Sequence, residues 1–245
     1  MKKLNLIVSV VAVSGLVACG GGSGGSGSST SSAASSTPSA ATAFSYKQAV
    51  VNNYQNGITV PFNATLPGTG CSGTGTFMQS PLTTLTTFNT LSSQGVSALS
   101  GGITITIDWT NCSTSQTTIA STDYIDSSTL IPLGFSASGV YGVYSVPPVI
   151  PASVAVGDSG SLGTVQLYTG SSEITPIGTE TILYAVTDGT DSSNVTVTVT
   201  SNSYDATNTL VATVTEIDQL SSAGTLTPTS ITMVNLLTGT TITLN

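Results

Sequence analysis

The stretch Val156-Gly157-Asp158-Ser159-Gly160-Ser161-Leu162-Gly163 holds residue types from which a hydrolytic site could be built. Ser159 could attack a carbonyl if a neighbouring base took its proton, because an unassisted serine hydroxyl is a weak nucleophile. Asp158 could share a proton with a second carboxylate facing it and activate a water. The first chemistry lacks its usual base, since the chain has no histidine. Its lysines are Lys2, Lys3 and Lys47, and it has no arginine. Lys47 follows a Gly/Ser-rich run in a segment that reads as a surface helix, a poor place from which to activate Ser159. Asp-Ser-Gly occurs once, so the second chemistry would need a homodimer. The stretch therefore reads as a loop in which Asp158 and Ser159 cap backbone groups and Gly160 takes a positive φ.

The remaining acids offer no stronger pattern. A glycosidase needs two carboxylates across a cleft, but a chain with eleven acids always contains pairs such as Asp123/Asp126 and Glu216/Asp218. Asp188, Asp191 and Asn194 crowd one turn and form a weak calcium candidate. Calcium takes six to eight oxygens and the spacing is not that of an EF-hand, so a hairpin turn is the simpler reading. A zinc site would need histidine or more cysteines, and no cofactor motif is present. Trp109 falls on the apolar face of an alternating segment and reads as core. Tyr141 and Tyr144 could line a recognition surface, but read better as filling a junction between sheets.

The N-terminus is more specific. Lys2 and Lys3 precede an apolar run over residues 4–17, too short to span a bilayer but of the length of a secretory signal. It ends in Leu16-Val17-Ala18-Cys19, which resembles the lipobox of bacterial lipoproteins. That resemblance implies removal of residues 1–18 and acylation of Cys19, with the lipid bilayer as partner. Several acyl chains on one residue anchor a protein stably without spanning the membrane. Gly20 in place of an aspartate implies sorting to the outer membrane of the bacterial envelope. Residues 19–43 then form a tether with no large apolar side chain, spanning about 25 Å as a flexible coil.

Cleavage would leave one lysine against eleven carboxylates, a net charge of about −10. Phosphate recognition depends on Lys and Arg, so nucleic acid, nucleotides and anionic headgroups are excluded as partners of the folded part. Cys71 and Cys112 remain as an even pair in an exported chain, which predicts a disulfide over two buried thiols.

Residues 44–57 are the one plausible helix, a short one, and the rest alternates. Ile103, Ile105, Ile107 and Trp109 share one face of a strand, with Thr104, Thr106 and Asp108 on the other. Residues 181–186 and 195–200 repeat the pattern, and Thr and Val suit strands. The expected fold is all-β, an antiparallel meander forming a twisted sheet, sandwich or partial barrel, with one short N-terminal helix. Strands are expected near residues 59–66, 73–79, 84–89 and 103–109. The first β-rich region covers 44–146. A second, 152–245, should hold six meander strands from about residue 162 and pack with the first as one unit. Between them the proline-rich residues 146–151 must interrupt any sheet.

The layout also resembles a group of uncharacterised proteobacterial lipoproteins, in the stretches GCSGTGTF (70–77), NC (111–112), PLGF (132–135), YGVY (141–144), VGDSGSLGT (156–164) and GTLTP (224–228). The resemblance implies an envelope lipoprotein with a β-rich domain and brings no activity with it. The expected function is non-enzymatic: a binding or interaction module with a protein or glycan partner, or a surface structural protein. The alternative is an acid-dependent hydrolase of envelope or extracellular glycan or peptide.

Overall fold

The computed structural model describes residues 42–91, 95–172 and 175–245. Cys19, the signal segment and most of the tether lie outside them. Among the described residues one helix and thirteen strands form. The helix is α1 (Tyr46–Asn56). The strands are β1 (Ile58–Leu66), β2 (Cys71–Gln79), β3 (Thr84–Asn89), β4 (Gly95–Thr110), β5 (Gln116–Asp126), β6 (Pro132–Ala137), β7 (Val140–Tyr144), β8 (Ser159–Tyr168), β9 (Pro176–Asp188), β10 (Asn194–Asp205), β11 (Leu210–Ser221), β12 (Leu226–Asn235) and β13 (Thr240–Leu244).

Every pairing is antiparallel, and the sheet closes on itself. From β4 to β13 neighbours in sequence pair; β13 then pairs β1, β1 pairs β2, and β2 returns to β4. The result is a barrel of twelve strands, with strands of both β-rich regions in one wall. β4 is long enough to carry two partners in tandem on one edge, β3 over residues 95–100 and β2 over 103–110. Between them the β2–β3 connection crosses Gly101, where a Cβ would lie 2.8 Å from the Ser80 carbonyl and 2.9 Å from that of Pro81. Closure removes the free edges of the twelve ring strands, while β3 pairs β4 alone.

Alternation decides which side chains face the lumen. On β10, Val195, Val197 and Val199 are buried while Thr196, Thr198 and Thr200 face outward. The outer wall carries hydroxyls across seven strands in register: Thr200, Thr215, Thr232, Thr243, Thr65, Ser72 and Thr110. A membrane-spanning barrel has the opposite arrangement, apolar outside and polar within. This wall faces water. No helix among the described residues is long and apolar enough to cross a membrane.

The helix is not a surface element, as its polar composition suggested. Tyr46, Ala49, Val50 and Tyr54 recur at helical spacing and are all buried. They join the largest core cluster with lumen residues of β8, β9 and β10 such as Leu162, Ile182 and Val197. Asn53 Nδ2 donates to the Leu226 carbonyl at 3.0 Å, and Leu82 N–H donates to the Tyr54 carbonyl at 2.7 Å. These bonds seat α1 as a plug in the barrel end that also carries loops 80–83, 127–131, 145–158 and 222–225. The helix stops at Gly57, where φ is 70° and the N–H donates to the Asn53 carbonyl.

Three strands fall where the sequence had suggested none: β5, β6 and β7. The six-strand meander starts at Ser159 rather than near residue 162.

Candidate functional site

The barrel's two ends differ. At the end opposite α1, the turns 67–70, 111–115, 138–139 and 236–239 surround a cavity of about 490 Å³. Its lining comes from strands on all sides of the ring, including Leu66 (β1), Trp109 (β4), Ile119 (β5), Ala137 (β6), Ile177 (β9) and Ile242 (β13). Residues from opposite walls can line one cavity only if it opens into the lumen, so this is the barrel's mouth. Alternation explains most of the lining, since these side chains take the inward phase of their strands; Ile177 is the exception, the extra residue at the register shift between β8 and β9. Exposure grades outward. Ile242 at the floor is buried, Trp109, Ile119 and Ile177 are half-buried, and Ser113, Thr114 and Ser138 at the rim are exposed.

Trp109 therefore does more than fill core. It packs against the cluster of Ile103, Ile105 and Ile107, yet one side of it faces the cavity. Its indole N–H donates to Thr117 Oγ1 at 2.8 Å, which fixes the ring against the wall. Cys71 and Cys112 are bridged, and the disulfide sits in the rim. It joins the start of β2 to the turn after β4 and closes a loop of 41 residues, worth about 4 kcal/mol in the chain-entropy model.

Beneath α1 the lumen holds a different chemistry. Asp123, Glu180 and Asp218 are buried, and Glu216 is half-buried on the same inward phase of β11. Among the described residues the single basic side chain is Lys47, which stays partly exposed on α1. Burial, then the Asp218 and Asp123 charges, push the Glu216 carboxyl well above its usual range. Burial raises Asp218 to about 7. Burial and the Glu180 charge raise Asp123. The phenols of Tyr46, Tyr54 and Tyr144 are likewise raised, first by burial and then by nearby charges. Ser203 Oγ donates to Glu180 Oε2 at 3.4 Å. Tyr46 Oη, Gln79 Nε2 and Asp218 Oδ1 are buried without a hydrogen-bond partner. All three residues line a cavity of about 30 Å³, room for one or two waters. With α1 seated above it, this chamber can hold protons and water, but it is not a cleft that a polymer substrate could occupy.

The other candidates from the sequence separate. Asp158 Oδ2 accepts the Ala155 N–H at 2.8 Å, so the aspartate caps a turn as expected. The positive φ belongs to Gly157 (94°) and not to Gly160. Ser159 and Gly160 open β8 instead of completing the loop, because both pair with β9 at Ala185 and Tyr184. A Cβ on Gly160 would lie 3.0 Å from the Tyr184 ring, and that close approach is what favours glycine there. Asp191 Oδ1 accepts the Ser193 N–H and the Asn194 Nδ2, each at 2.8 Å, within its own hairpin turn beside Asp188. Among the described residues no group of three or more acidic, thiol or imidazole side chains is placed to hold a metal. Tyr141 is buried against Phe88, and its hydroxyl donates to the Asn89 carbonyl. Tyr144 packs against the main core. Asp126 caps the exposed β5–β6 turn and stands apart from Asp123.

Sequence reasoning missed both the mouth and the acid chamber. The chamber had a signal. Glu216 and Asp218 continue the phase of Val214 and Leu220, and Asp123 that of Ile125, so the alternation that marks a strand also places these acids inside. The mouth had none, since its walls meet only on closure.

Compared with known proteins, the chain matches no protein-family model, no curated protein and no solved structure.

Proposed function

We propose that the chain is an acylated envelope lipoprotein whose barrel is a non-enzymatic binding module, with its ligand site in the mouth. Residues 1–18 are the signal peptide, Cys19 carries the acyl chains, and residues 19–43 tether the barrel to the bacterial membrane, on the sorting pattern the outer one. The observation that carries the binding reading is the cavity of about 490 Å³, in the size range of small-molecule sites. It is far roomier than the cavity of about 30 Å³ under α1. The direction of the chain supports the same reading. Phe44 bridges Val154 at the plugged end, so the chain enters the barrel at the end opposite the mouth. Hydrolysis by paired acids is the weaker reading, because the raised carboxyls lie under α1 and not in the mouth.

The test is capture from an extract of envelope small molecules, comparing wild type with Ala137→Phe, which fills the cavity from its wall. Wild type is expected to enrich one or a few species that the variant does not. Equal retention by both, at matched folding, overturns the proposal.

A further inference from the structure

Resting on that reading, we infer that the mouth takes an uncharged lipophile: an apolar body against the floor, with any hydroxyl or carbonyl directed to the rim. Among the described residues no charged side chain lines the cavity. Its floor and walls are Ile242, Val140, Ile177, Ile119 and the face of Trp109, all apolar contact surface. The polar groups are hydroxyls at or near the rim, including Ser113, Ser138 and Thr240, which can donate to or accept from a neutral head group but cannot neutralise a charge. The indole N–H is already donated to Thr117, so Trp109 offers its ring rather than a hydrogen bond.

Two described acids at the mouth end disfavour an anion further. Asp108 alternates outward from Trp109 and accepts from Gln116, and Asp205 holds the β10–β11 turn at the same end. A carboxylate or sulfate head would meet acids outside and no cation within, so it would lose hydration without compensation. An ammonium head would be desolvated in the cavity with no carboxylate among the described lining residues to pair with. A sugar's hydroxyls would find partners only among the Ser and Thr groups toward the rim, and those over the floor would face Ile242, Ile119 and Val140. What remains is a neutral molecule whose binding comes from apolar area.

The experiment uses two probes with the same aromatic skeleton, N-phenyl-1-naphthylamine and its sulfonated counterpart 8-anilino-1-naphthalenesulfonate. The chain has one tryptophan, so quenching of its emission and energy transfer to the probe report on the mouth. The neutral probe is expected to saturate at one equivalent and to quench Trp109. The sulfonate should bind roughly tenfold more weakly or worse. Ala137→Phe and, at the rim, Thr240→Phe should each weaken the neutral probe while their thermal unfolding shows a folded barrel. Should the sulfonate bind as tightly as the neutral probe, or should maltose displace the neutral probe, the mouth binds ligands but the class is wrong. If neither probe nor maltose touches Trp109 emission in wild type, the binding reading falls with it.

Discussion

Raising the pH from 4 to 7 should destabilise the barrel, and the chamber under α1 sets the size of the effect. A carboxyl whose folded-state pKa is raised binds its proton more tightly in the folded protein. The stability this gives is fully present below the unfolded pKa and is lost as pH climbs through the folded value. Asp218 moves from 3.8 to about 7. Asp218 titrates together with Glu216, and at about 1.4 kcal/mol per unit a carboxyl raised that far removes on the order of 3 kcal/mol between pH 4 and 7. Glu216 and Asp123 are raised as well, so the decline should continue above neutrality. The opposing groups act elsewhere. Asp126 is held down to about 2 by hydrogen bonds from Ser128 and Thr129, and turn bonds also lower Asp191 and Asp205. Their stabilisation is lost as pH falls below about 4. Maximum stability should therefore sit near pH 4, below the range usual for proteins. Urea unfolding followed by Trp109 emission at one-unit steps from pH 3 to 8 measures it. Asp218→Asn, which cannot ionise, should flatten the slope between pH 4 and 7. Stability that rises across that window, or a variant with the wild-type slope, would refute the reasoning.

Reducing the Cys71–Cys112 bridge should cost about 4 kcal/mol, and alkylation of the intact protein without reductant should find neither thiol. Cys19→Ala should move the protein from the detergent phase to the aqueous phase; partition like wild type would count against acylation there. Gly57→Val should destabilise by more than 1–3 kcal/mol, since the position combines φ of 70° with a Cβ site 2.7 Å from the Gln79 carbonyl, whereas Ser159→Ala, on an exposed residue, should stay within about 0.5 kcal/mol in the same melts.

Local pattern carried much of the fold. Residues 84–89 and the six strands from β8 onward could be read because each has one wet face and one dry face, which is what alternation reports. β5 escaped because Ser121 and Asp123 occupy its inward phase, so its polar residues fall on both faces. β7 escaped for the reverse reason: Val140, Tyr141, Gly142 and Val143 are all buried, since Phe88 and Tyr124 cover its outer side while the lumen covers the other. Residues 44–57 stood out as a short helix because they lack strand alternation, but the burial of Tyr46, Ala49, Val50 and Tyr54 depends on a barrel end being there to receive them. Closure rests on β13 meeting β1 and β2 meeting β4, contacts between distant segments that no local signal specifies. The disulfide was legible from cysteine number and the expected export of the chain. The mouth was not, because a cavity belongs to the ring and not to any strand in it.

The central claim is that the mouth beside Trp109 binds the ligand, and the single indole makes a direct test possible. A proton–nitrogen correlation spectrum of the barrel contains one tryptophan indole cross-peak, since the chain holds one tryptophan. Titration with N-phenyl-1-naphthylamine should move that peak to a saturating endpoint, together with backbone peaks of Ile119, Ala137 and Thr240, while those of α1 stay in place. An indole peak that holds still while the probe binds elsewhere, or throughout the titration, would contradict the account.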